Sequence, residues 1–305
     1  MAGLPEALHG GRVSVAAPPT GQERRHPVST NETRARIDFS PLAPFLDLWR
    51  NRALLSAMTR REIESRYRGS ALGFVWSLAT PLLTLVVYTF VFSVIFRVRW
   101  GASTAGHGEF ALVAFAGLLI FTCFSDCVTR APGLVLSQAN LVKKVVFPVQ
   151  ILPAMILGGA LFQLVIATAV LLVIATVLGF TPGVTVLAFP LVLAPLVLGI
   201  LGITWAVSAA GVYFRDLGQV VGLLVTLLMF LIPIFYPVSA VPEAFRPVIA
   251  LNPLAILVEE ARGVLLWGRW PDWFQLAWVG LLGWALAWGG YLFFMKLRRG
   301  FPDVL

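Results

Sequence analysis

Charge is what this sequence has least of. Only 12% of its 305 residues are Asp, Glu, Lys or Arg, against ~25% in an ordinary soluble domain. Lysine is almost absent: Lys143 and Lys144 are the only ones before Lys296. The two cysteines, Cys123 and Cys127, are too few for a disulfide framework. Set four residues apart in an apolar run, they read as small packing residues on one helix face. The three histidines, His9, His26 and His107, are scattered and form no metal-spaced cluster. No G-x-x-x-x-G-K-[ST] occurs, and no soluble α/β stretch could carry one, so a P-loop ATPase is excluded. No Ser/His/Asp arrangement or Asp-rich loop motif appears, which argues against a hydrolase and against a membrane-embedded glycosyltransferase or flippase-type enzyme. The expectation is a non-catalytic chain.

Apolar sequence is what remains, at 58%. Runs of roughly 20 such residues mean membrane helices. The expected fold is all-α: a polytopic membrane protein with six transmembrane helices. They are placed at Leu72–Phe96, Phe110–Thr129, Ile151–Phe180, Val184–Tyr213, Leu217–Pro237 and Trp273–Met295. Pro190 and Pro195 should kink the fourth. Residues 1–40 are polar, rich in Arg, Pro, Gly and Ser, and lack the apolar core of a signal peptide. They read as a disordered cytoplasmic tail.

A net charge of +8 would suggest nucleic acid in a soluble protein. Here its placement matters more, and no nucleic-acid partner is expected. With the N-terminus in the cytoplasm, only Arg97, Arg99, Arg246, Arg262 and Arg269 of the 23 basic residues fall outside, as the positive-inside rule requires. Six spans then return the C-terminus to the cytoplasm.

Two segments are too charged or too short to span. Residues 41–70 carry Phe45, Leu48, Trp49, Leu54, Leu55 and Met58 near helical spacing among arginines, the pattern of an interfacial amphipathic helix. The outer stretch 238–272 reads as a re-entrant gate hairpin, with Asn252 as N-cap and Pro253 as first residue of its second helix. The remaining domain, 71–305, is the transmembrane body. Within it, Asp126 and Arg130 are spaced for a local ion pair, and the GQVVG run from Gly218 to Gly222 allows close helix approach.

The inner loop 130–148 holds the lysines. Val142, Val145 and Val146 line one side of a short helix, with Lys143 and Lys144 elsewhere. The physics alone leaves two readings open: the lysines set topology, or the helix docks into a partner's groove.

Five segments, in order, resemble the permease subunit of ABC-2 type polysaccharide exporters, which move O-antigen, capsule or teichoic acid chains. They are TRREIESRYRGSALGFVWSLATPLLTLVVYTFVFSVIF, NLVKKVVFPVQILP, FRDLGQVVGLLVTLLMFLIPIFYPVSAVP, LNPLAILVEEARGVLL and RRGFPDVL. The resemblance covers roughly residues 50 to 305. It implies a homodimer in the bacterial cytoplasmic membrane, paired with two ATP-binding cassette ATPase subunits that hold ATP and Mg, so that this chain needs no cofactor. It implies that Asn140, Leu141, Val142, Lys143, Lys144, Val145, Val146 and Phe147 form the ATPase-coupling contact.

For a lipid-linked glycan substrate, Arg66, Tyr67 and Arg68 are placed to meet a lipid pyrophosphate at the inner surface, or simply to anchor that surface. Tyr88, Phe92, Phe235 and Tyr236 lead the candidates for stacking on sugar faces. Trp76, Phe121, Phe124 and Phe230 rank behind them. Glu259, Glu260 and Arg262 lie in the gate hairpin and either guide the substrate or face water. Two alternatives stand beside this reading: an ABC-2 exporter of a drug or small lipid, and an ATP-independent scaffold.

Overall fold

The computed structural model describes residues 40–68, 75–88, 90–91, 107–139 and 147–304. Every regular element among them is helical. The tail expected over 1–40 lies outside them except for Ser40.

The predicted interfacial helix is two helices, α1 (Ala43–Arg50) and α2 (Arg52–Tyr67), hinged at Asn51. The Asn51 side-chain amide donates to the Asp47 carbonyl at 2.8 Å and closes the end of α1. In α1 apolar residues segregate. Phe45 and Leu48 pack on the core, while Leu42, Leu46 and Trp49 stay exposed. In α2 the inward face is mixed: Leu55 and Met58 pack on the core, while Thr59, Glu62 and Arg66 lie on Gly158 and Gly159 of the helix Leu152–Val177. The expectation that its arginines all turn to headgroups therefore fails at Arg66, which points into the protein.

Helix α3 (Val75–Tyr88) carries Pro81 in its interior. A proline has no N–H for the carbonyl four residues back, here that of Ser77. The Gln163 side chain of another helix donates to the Ser77 carbonyl at 2.9 Å, replacing the lost bond where no water is at hand.

Four described helices are long and apolar enough to cross a membrane: Glu109–Ser137, Val149–Val177, Val184–Tyr213 and Trp273–Gly300. Their α-helical portions are α4 (His107–Ser137), α5 (Leu152–Val177), α6 (Phe189–Tyr213) and, last, Trp273–Leu297. The first of these spans is the hub, with 83% of its apolar window buried against 39%, 44% and 28% for the others. It also runs past the expected end at Thr129 through Pro132 to Ser137, so the start of the segment assigned to the inner loop is still helix.

The sequence predicts two further spans. Helix α3 is apolar but shorter, and so is α7 (Leu217–Leu231). The fifth span, expected to reach Pro237, stops as a helix at Leu231. The backbone is extended at Ile232, φ −101° and ψ 135°, because Pro233 bars its predecessor from the helical region.

The outer stretch contains a short α8 (Arg246–Ala250) and then α9 (Pro253–Leu265). The Asn252 side chain accepts from the Leu254 N–H at 3.0 Å and Pro253 opens the helix, as the sequence predicts. Helix α10 (Trp273–Leu297) is capped by Asp272, which accepts from the N–H groups of Phe274 and Gln275 at 2.9 and 3.2 Å. A brief α11 (Phe301–Val304) follows. Helices α6 and α10 meet backbone to backbone: a Cβ on Gly290 would lie 2.1 Å from the Gly202 carbonyl oxygen.

Candidate functional site

The inner end holds a ring of four charges. Glu62 and Arg66 stand one turn apart on α2, and Asp126 and Arg130 one turn apart on α4. Arg66 Nη2 reaches Asp126 Oδ2 at 2.6 Å and Arg130 Nη2 reaches Glu62 Oε1 at 2.5 Å. The two same-helix pairs are looser, Arg66–Glu62 at 3.4 Å and Arg130–Asp126 at 3.8 Å. The local Asp126–Arg130 pair read from the sequence is present, but the short bonds run between helices. Burial alone would lower the Arg66 guanidinium; Asp126 and then Glu62 more than offset it and hold it above its ordinary value.

Two acids and two bases neutralise one another, so a phosphate meeting Arg66 must displace a carboxylate. Arg66 also lines a cleft of about 200 Å³ with Thr80, Thr84, Thr122, Asp126 and Gln163, floored by Leu118, Leu119 and Leu164. Arg68 is exposed at the end of α2. Tyr67 is helical, and its side chain lies outside the described set.

A second inner knot escaped the sequence reading. Asp47 of α1 accepts from the Tyr291 hydroxyl of α10 and, at 3.3 Å, from the Gln150 amide. Gln150 accepts from Arg298 at 2.8 Å through its side chain, and its carbonyl accepts from Trp205 Nε1 at 2.9 Å. The one available signal was Asp47 itself, an acid inside an otherwise apolar and basic helix.

Of the coupling segment, residues 140–146 lie outside the described residues. Phe147 is buried in the core, where it anchors the chain's entry to α5 and presents little surface of its own. Arg215 and Asp216, at the turn between α6 and α7, are exposed.

The outer side brings together residues far apart in sequence. Tyr88 and Phe235 stack with ring centroids 5.2 Å apart and planes at 17°, an arrangement worth about 1 kcal/mol beyond its area. The Tyr236 hydroxyl donates to the Phe230 carbonyl at 2.9 Å and braces the turn after α7. Phe92 lies outside the described residues. Phe121 and Phe124 are buried, while Trp76 and Phe230 are exposed.

The charges of α9 divide by surroundings. Glu259 is partly exposed. Glu260 is buried; it accepts the Asp272 N–H at 3.0 Å, and burial raises its carboxyl above the ordinary range. Arg262 is 0% exposed. It donates from Nε to the Val113 carbonyl at 3.0 Å and from Nη2 to the Ile234 carbonyl at 2.9 Å, with Glu259 at 3.4 Å. Burial pushes its guanidinium down to about 10, Glu259 opposing, so it stays charged at neutral pH.

These features sit on an all-helical membrane protein whose best-built polar sites lie at opposite ends of one hub helix. Residues 53–266 match the ABC-2 type transporter family, and the chain belongs to that family. It is 31% identical over 261 residues to an O-antigen export system permease protein RfbA of Myxococcus xanthus, covering 85% of this chain and 98% of that one. A protein of the same name from Klebsiella pneumoniae is 29% identical over 83% of this chain and 95% of its own length. The polysialic acid transport protein KpsM of Escherichia coli is 23% identical over 70% of this chain and 81% of its own.

Proposed function

We propose that this chain is the transmembrane subunit of an ATP-driven exporter that moves a lipid-linked polysaccharide across the cytoplasmic membrane. The observation that carries the reading is the match to O-antigen export permeases along almost their whole length. In this reading the chain forms six spans. The first is placed at Leu72–Phe96, partly outside the described residues, and α7 crosses together with the non-helical Ile232–Pro237 stretch. Both termini face the cytoplasm, as the distribution of basic residues favours.

Two copies assemble with two ATPase subunits, which bind ATP and Mg. The exposed apolar faces of α3 (Leu82, Leu83, Val86, Val87) and α7 (Leu223, Leu224, Leu227) suit contact with lipid and with the second copy. Residues 140–146 dock on the ATPase, and α4 carries the motion to the ring of charges it shares with α2. The Tyr88–Phe235 stack closes the outer end. Parted, the two rings would offer faces to passing sugars.

Co-purification with the cognate ATPase tests the reading. The wild type should form a complex with stimulated ATP hydrolysis, and Lys143→Glu/Lys144→Glu should lose either the complex or the stimulation. A double mutant that assembles and hydrolyses normally leaves the lysines a topological role only. A wild type that binds no ATPase sinks the exporter reading.

A further inference from the structure

Arg262 is the most deeply buried charge among the described residues, and its bonds join three elements. The residue itself is on α9. Val113 is on α4, the hub. Ile234 lies in the non-helical segment that follows α7, between Pro233 and Phe235. The break at Ile232 strips that segment of helical hydrogen bonds, and a carbonyl left bare away from water is costly. Arg262 Nη2 supplies the Ile234 carbonyl with its donor at 2.9 Å. The next side chain along, Phe235, is the one stacked on Tyr88.

The hub is shaped to admit the guanidinium. A Cβ on Gly117 would lie 2.9 Å from Arg262 Nη2, so only glycine leaves the fork room. The geometry also calls for arginine: two acceptors on separate elements need two donors, here Nε and Nη2, held apart on one rigid group, which a lysine ammonium does not offer.

We propose that Arg262 is the positioning residue of the outer barrier. Its guanidinium pins the Ile232–Pro237 segment to α4 so that Phe235 closes on Tyr88, and loss of the pin unseats that closure. The inference rests on the reading of this end of the protein as the outer gate.

The test uses the full chain with its ATPase in nucleotide-free proteoliposomes. The readout is passive entry of a small neutral sugar, a pentose, followed by light scattering. Arg262→Met should raise the leak about ten-fold by populating the open state. Phe235→Ala should do the same, and the double mutant should leak no more than either alone, since both act through one closure. Arg262→Lys should fall between wild type and Arg262→Met.

If Arg262→Met fails to assemble, Gly117→Ala crowds the same guanidinium without removing its charge and should leak in its place. An assembled Arg262→Met with a wild-type leak overturns the proposal, as does a double mutant whose leak is the sum of the two. No nucleotide is present, so neither result depends on glycan export. A complex with a tight, Arg262-dependent barrier that exports no glycan would count against the exporter reading alone.

Discussion

The two ends of α4 solve the same problem with opposite chemistry. At the inner end Arg66 and Arg130 meet carboxylates, and their side chains are 25% and 36% exposed. At the outer end Arg262 is wholly buried and meets backbone carbonyls, with one partly exposed glutamate. Ion pairs near water are weak, screened and easily exchanged. A guanidinium sealed among carbonyls is strongly held, because the Ile234 carbonyl it would abandon lies outside any helix and is left bare. The end at Arg66 and Arg130 is therefore the easier to rearrange, and the end at Arg262 the more firmly held.

Three substitutions put that contrast to work. The largest effect is expected from Arg262→Met, which strands the Ile234 carbonyl and removes the tie to Val113. Thermal unfolding in detergent should show a loss of ~2–4 kcal/mol, unchanged between low salt and ~1 M salt. Glu62→Gln should cost less, ~1 kcal/mol, and its effect should shrink as salt rises. If Arg262→Met were as salt-sensitive as Glu62→Gln, the contrast between the two ends would collapse. The smallest effect is expected at the proline break in α3. Gln163→Leu should cost ~1 kcal/mol by removing its hydrogen bond to the Ser77 carbonyl. Most of that loss should disappear in a Pro81→Ala background, where the helix supplies its own donor.

What the sequence made legible was local. The Asn252–Pro253 start of α9 and the Asp126–Arg130 spacing can be read along the chain, because cap and ion pair both lie within one turn. The apolar runs gave the four long helices for the same reason. The partners that matter most are not local: Glu62 lies 68 residues from Arg130, and Arg262 lies 149 residues from Val113. Backbone carbonyls leave no mark in a sequence, so nothing announced that Arg262 would be held by them. Its reading as a residue that guides substrate or faces water missed its burial. The end of α7 was available from Pro233 but was outweighed by the apolar run around it. The inner loop was started too early, at Arg130, whereas the helix runs on to Ser137 with Pro132 inside it and the Pro132 carbonyl against Gly211 of α6.

The contact between Gly202 and Gly290 has a mechanical consequence. No side chain lies between the two backbones, so neither helix can slide past the other without opening a void along the seam. Helices α6 and α10 are thereby bound to shift as one body, like two planks glued along a seam.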